Sequence, residues 1–195
     1  MAVSLSKGGN ISLAKQAPGM TLAGVGLGWN PRTTDGAAFD LDASALVTDA
    51  SGKALSEEYF VFYNNLKDPS GAVEHQGDNR TGEGDGDDES LNVKLDALPA
   101  NAEKVVFFAS IDEADSRGQN FGQVSDAYIR VFDADDPMND SKVVRYDLGE
   151  DAATETALVF GELYRRNGEW KFKAIGQGYS NGLAGIIKDY GLSAN

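Results

Sequence analysis

Residues 77–90 read GDNRTGEGDGDDES: six carboxylates, four glycines and one arginine, a net charge of −5 in a stretch with almost nothing apolar to bury. Like charges about 5 Å apart repel by on the order of 1 kcal/mol per pair even in water-like surroundings, so the segment would pull itself apart unless a cation reversed the sign. Carboxylates, amide side chains and backbone carbonyls spaced by glycines are hard oxygen donors on a chain that can turn sharply. That set suits Ca2+, which takes six to eight such ligands, better than Mg2+, which retains several of its waters. Asp78 and Glu89 stand first and last of twelve residues, as in an EF-hand, but position three is Arg80 and position six is Glu83 where glycine belongs. The flanking segments also read as strands. The expectation is therefore a calcium loop of another kind.

Two further groups can supply oxygen. In FDLDASALV, Phe39, Leu41, Ala43, Ala45 and Val47 share one face of a strand, which sets Asp40 and Asp42 side by side on the other. Paired carboxylates on an otherwise apolar strand are costly without a partner. Asn64 and Asn65 end the run YFVFYNN. If the strands bring these groups to the acidic loop, the donors suffice for two ions.

The elements that must position them follow a period of two. TLAGVGLGW places Val25, Leu27 and Trp29 on one face and Gly24, Gly26 and Gly28 on the other, which leaves room for something packed close. YFVFYNN, LNVKL, KVVFFASID, AYIRVFD, KVVRYDL, TALVFGELYRR and EWKFKAI extend the alternation, and Asn167-Gly168 is a preferred two-residue hairpin turn. KVVFFASI is apolar on both faces and reads as a central strand. Only SNGLAGIIKDYG changes period, predicting a closing helix capped by Ser180 or Asn181 and stopped by Gly191; a shorter helical turn falls around EADSRGQNFG. About nine strands with one or two short helices predict an all-β, two-layer sandwich, taken as a single domain over 1–195.

Bulk properties bound the function. With 31 acidic and 17 basic residues the net charge is −14, which repels nucleic acid and anionic lipid. There is no cysteine, so thiolate metal sites and thiol redox chemistry are excluded and oxygen ligands remain. The N-terminus, MAVSLSKGGNISLAKQ, has no basic segment followed by an apolar run, and no stretch approaches the ~20 apolar residues of a membrane span, so a cytoplasmic location is expected.

The segments SLSKGGNISL, VGLGW followed by FDLDASA, FYNNL, GDNRTGEGDGDDE, GQNFGQVSDAYIRV and FGELYRRNGEWKFKAIGQGY resemble, in order and over nearly the whole chain, the TerD family of tellurite-resistance and stress-response proteins. The resemblance implies a cytoplasmic β-sandwich that binds Ca2+, usually two ions, with roles in resistance to tellurite, other chemical stress and phage and no established enzymatic reaction. Carried onto this sequence, it points to Asp40, Asp42, Asn64, Asn65, Asp78, Asn79, Asp87, Asp88 and Glu89 as metal ligands. Tellurite is an oxyanion handled by reduction or thiol capture, and a cysteine-free chain of charge −14 is unsuited to either. A calcium-dependent scaffold or sensor acting through other stress-response proteins is the expected role.

Two other classes compete. A calcium-stabilised carbohydrate- or peptide-binding module would expose Trp29 or Trp170 near the metal, whereas both alternate with apolar residues and are expected in the core. A carboxylate hydrolase needs two acids facing each other across a cleft, not crowded into one loop. His75, the sole histidine, is expected at the surface or in a loop, with no nucleophile motif beside it. GVGLGW is followed by no helix, which removes the dinucleotide-loop reading.

Overall fold

The computed structural model describes residues 1–84, 86–148 and 152–193. Its strands are β1 (Val3–Leu5), β2 (Asn10–Ser12), β3 (Leu22–Gly28), β4 (Leu41–Thr48), β5 (Phe60–Val61), β6 (Val73–His75), β7 (Glu89–Lys94), β8 (Lys104–Ile111), β9 (Tyr128–Asp133), β10 (Val144–Asp147), β11 (Ala157–Arg166) and β12 (Glu169–Tyr179). They form two six-stranded sheets, ordered β1-β10-β9-β3-β7-β6 and β2-β12-β11-β8-β4-β5. All pairings are antiparallel except β1 with β10. The mainly β fold is the one the alternation predicts. The nine expected strands are β3 to β5 and β7 to β12; β1, β2 and β6 have three residues each, too few to display a period.

The main core lies between the sheets. Val25, Leu27 and Trp29 of the first sheet's side meet Leu41, Ala43, Ala45 and Val47 of β4 and Val105, Phe107 and Ala109 of β8. KVVFFASI lacks alternation because its other face is covered as well: Val106 and Phe108 pack with Leu46, Ala157, Val159 and Ile186. Ile186 belongs to the closing helix, so β8 is interior both to its sheet and between layers.

Among the described residues three short α-helices are present: α1 (Leu13–Gln16), α2 (Ala114–Arg117) and α3 (Gly182–Asp189). α2 is the turn expected in EADSRGQNFG. Asn181 holds the N-cap position of α3 without a capping side-chain bond, and Gly191 follows at φ +85°. β11 and β12 are joined through Asn167 and Gly168, both at positive φ, with Arg166 opposite Glu169, as the type I′ expectation requires.

The glycine face of β3 admits close neighbours. Added Cβ atoms at Gly24, Gly26 and Gly28 would collide with the Phe132 ring, the Asp87 carboxylate and the Tyr128 ring. That lane draws one end of the acidic loop onto the outside of the first sheet.

Candidate metal site

The site forms where the two sheets approach at the start of β4. Antiparallel register sets Leu41 opposite Ile111 and Asp42 opposite Ser110, and the Asp112 amide donates to the Asp40 carbonyl at 2.8 Å. Asp40 and Asp42 are thus fixed on the second sheet. Asp78 comes from the loop between β6 and β7 of the first sheet, held by Gln76 N–H to the Ser90 carbonyl at 2.9 Å and Asn79 N–H to Glu89 Oε1 at 3.1 Å. The Asn79 side-chain oxygen accepts from the amides of Thr81 and Gly82, each at 3.1 Å, a local turn that continues the loop.

Asp40, Asp42 and Asp78 each present a ligand oxygen within 4.8 Å of the others. They line an open pocket of about 230 Å³ with Tyr63, Arg80 and Asp112. Asp40 is 5% exposed, and its Oδ1 is buried with no hydrogen-bond partner. Oδ2 lies 3.4 Å from Arg80 Nε, whose side chain is otherwise solvent-exposed. A buried carboxylate oxygen left unpaired is costly, and a cation in the pocket would satisfy it. Burial, followed by the charges of Glu89, Asp40, Asp78 and Asp112, pushes the Asp42 carboxyl up to about 8. Burial also raises Asp40, against the lowering effect of Arg80. An all-oxygen, multiply anionic donor set of this kind fits a hard divalent cation.

Residues 1–190 match the family model for the TerD domain. The chain is 58% identical over 195 residues to Tellurium resistance protein TerD of Serratia marcescens, covering all of both chains. The chain belongs to the TerD family. It is also 50% identical over 193 residues to General stress protein 16U of Bacillus subtilis, covering 98% of each chain. Among solved structures it resembles the unknown-function protein SAV2460, with a TM-score of 0.71 and 26% identity over 87% of this chain and 95% of that one. No helix among the described residues is long and apolar enough to cross a membrane.

Within this TerD domain the nine residues expected as ligands do not all converge. Asp87 is turned to the outside of the first sheet, where Arg130 Nε reaches its two oxygens at 2.7 and 2.9 Å and the Tyr128 hydroxyl donates at 3.1 Å. Asp88 accepts from Trp29 N–H at 2.9 Å and from the Asn79 amide side chain at 3.2 Å. The Asn65 side chain donates to the carbonyls of Glu58 and Phe60 at 3.1 and 2.7 Å, closing the turn after β5, and Asn64 is exposed in that turn. Asp85 lies outside the described residues. From FYNN it is Tyr63 that lines the pocket, and Asp112 is a carboxylate the motifs did not indicate. Its only sequence signal is its place directly after the central strand, which becomes informative once β8 is known to pair with β4.

His75 is not at the surface: β6 pairs with β7, and the parity that buries Val73 buries His75 as well, to 4% exposure. Trp29 is buried as expected, and Trp170 is half-buried against the core under the Arg165 guanidinium.

Proposed function

We propose that this TerD-family chain is a calcium-binding protein in which Asp40, Asp42 and Asp78 hold one ion at the seam between the sheets. The observation that carries the reading is the convergence of three carboxylates with the Asp40 oxygen buried and unpaired. A bound divalent cation supplies positive charge that relieves the mutual repulsion of these groups. Among the described residues one such trio is present, so the geometry supports the first of the two ions the family resemblance implies.

The chain's own residues then join two layers: Asp40 and Asp42 are carried by the second sheet and Asp78 by a loop of the first. Ligation across that seam couples ion occupancy to the position of the loop and of Tyr63, which is 46% exposed beside it. We take the protein to act as a cytoplasmic, calcium-dependent scaffold or sensor that engages other stress-response proteins and catalyses no reaction. The relatives' names, tellurium resistance and general stress, support a part for such a protein in the stress response.

Calorimetric titration with Ca2+ and Mg2+, together with melting curves with and without chelator, tests the proposal. Ca2+ is expected to bind more tightly than Mg2+ and to raise the melting temperature. A melting temperature indifferent to both ions overturns the metal reading, and pulldowns whose partners do not change with Ca2+ overturn the sensor role.

A further inference from the structure

Glu89 opens β7, is 2% exposed, and does not line the pocket. Its oxygens are used inside the protein. Oε2 accepts from the Ala43 amide at 2.5 Å, and Oε1 accepts from the Asn79 amide at 3.1 Å. Ala43 directly follows Asp42, and Asn79 directly follows Asp78. His75 stands behind the carboxylate with Nε2 3.6 Å from Oε2, while its Nδ1 accepts from the amide of Gly77, the residue before Asp78, at 3.1 Å. Because Nδ1 accepts, the hydrogen-bond network assigns the imidazole proton to Nε2, facing Glu89.

We infer that the buried Glu89–His75 pair is a clamp that sets the separation of Asp42 and Asp78, making Glu89 a positioning residue and not a metal ligand. The inference rests on the reading of the trio as a cation site. Asp42 is carried by the second sheet and Asp78 by a loop of the first, and ionisation sets them in mutual repulsion, so an internal tie must hold their segments together before a cation arrives. One carboxylate accepting a backbone N–H from each side supplies it, since charge-assisted bonds to backbone amides are strong and directional. Supporting groups of this kind commonly alter metal affinity about 10–100-fold when removed, without touching the ion.

Three measurements on the full chain test the clamp: calcium calorimetry, amide hydrogen exchange of the chelated protein, and luminescence lifetimes of bound Eu3+, which count coordinated waters. Glu89→Gln is expected to weaken Ca2+ binding about 10–100-fold, speed exchange at Ala43 and Asn79, and leave the water count unchanged. An added water at Eu3+ would make Glu89 a ligand and overturn the inference. Affinity within about twofold of wild type would make it a bystander and do the same. His75→Gln leaves both backbone bonds of Glu89 in place and serves if Glu89→Gln does not fold. It is expected to weaken Ca2+ about threefold or more with faster exchange at Gly77, and unchanged affinity overturns the clamp. Wild-type protein that takes up no Ca2+ overturns the site itself, whereas binding wild type with indifferent variants overturns the clamp alone.

Discussion

Asp78 and Asp87 stand nine residues apart in one acidic, glycine-rich segment, and the structure gives them opposite surroundings. Asp87 lies in the lane left by Gly26, paired with both oxygens to Arg130, whose guanidinium also stacks on Phe132 with Cζ 4.4 Å from the ring centroid. Asp78 turns toward Asp40 and Asp42, where the one cation lining the pocket is Arg80, touching Asp40 alone among the trio in the contacts seen. The difference shows that counting carboxylates does not locate a cation site. What marks the candidate site is a set of converging carboxylates faced, among the described residues that line the pocket, by one largely solvent-exposed cation.

The sharpest way to break this contrast is to remove charge from each side. Asp42→Asn is expected to lower calcium affinity about 100-fold, because affinity follows the number of charged ligands. In chelator the same variant should melt at or above the wild-type temperature, since it removes a buried acid that costs free energy to keep protonated near neutral pH and that repels its neighbours once ionised. Calorimetry and a thermal scan of one preparation read both; weaker binding with a lower chelated melting temperature would place Asp42 in the framework instead.

Acidity bears on the trio as well. Asp42 holds its proton to about 8 in the folded chain, against an ordinary value of 3.8 when unfolded. Between those values the folded state binds more protons, so rising pH destabilises the metal-free protein over roughly pH 4 to 8. Calcium must displace that proton, so affinity is expected to climb toward tenfold per pH unit and level off above about 8. Melting in chelator from pH 5 to 8.5 should therefore fall more steeply for wild type than for Asp42→Asn. Parallel curves would remove Asp42 as the titrating group.

On the other side, Arg130→Met keeps the packing on Phe132 and removes the charged partner of Asp87, whose side chain is 10% exposed and keeps the Tyr128 hydroxyl. Fully buried pairs lose about 3–5 kcal/mol when one partner is removed; with Arg130 partly solvated, about 2 kcal/mol is expected here, read by urea unfolding. Calcium affinity should stay close to wild type. A large affinity loss would mean that Asp87 communicates with the trio after all.

These contrasts mark what the sequence could and could not carry. Long strands declared themselves, since burying Val25, Leu27 and Trp29 or Leu41, Ala43 and Ala45 on one face requires a period of two. Asp40 and Asp42 were legible for the same reason, being polar interruptions of an apolar strand. Strand order was not, and with it went Asp112, which reaches the pocket only through the pairing of β8 with β4. The roles of Asp87, Asp88 and Glu89 were hidden by the same gap. Their partners Arg130, Trp29 and Ala43 lie 43, 59 and 46 residues away, contacts that no local pattern encodes.

The smallest expected effect concerns Arg80, the cation that comes nearest to making the two ends alike. Its Nε lies 3.4 Å from Asp40 Oδ2 with a side chain 70% exposed, so solvent screens most of what it contributes to stability. It nevertheless occupies the mouth of the pocket with the same sign of charge as an arriving ion. Arg80→Gln should therefore tighten calcium binding, by roughly two- to fivefold at low salt, and the gain should fade as ionic strength rises toward 0.5 M. A titration series in salt measures both. If the substitution weakened binding at every salt concentration, Arg80 would be holding Asp40 in place, and the trio would share with Asp87 a dependence on its own arginine.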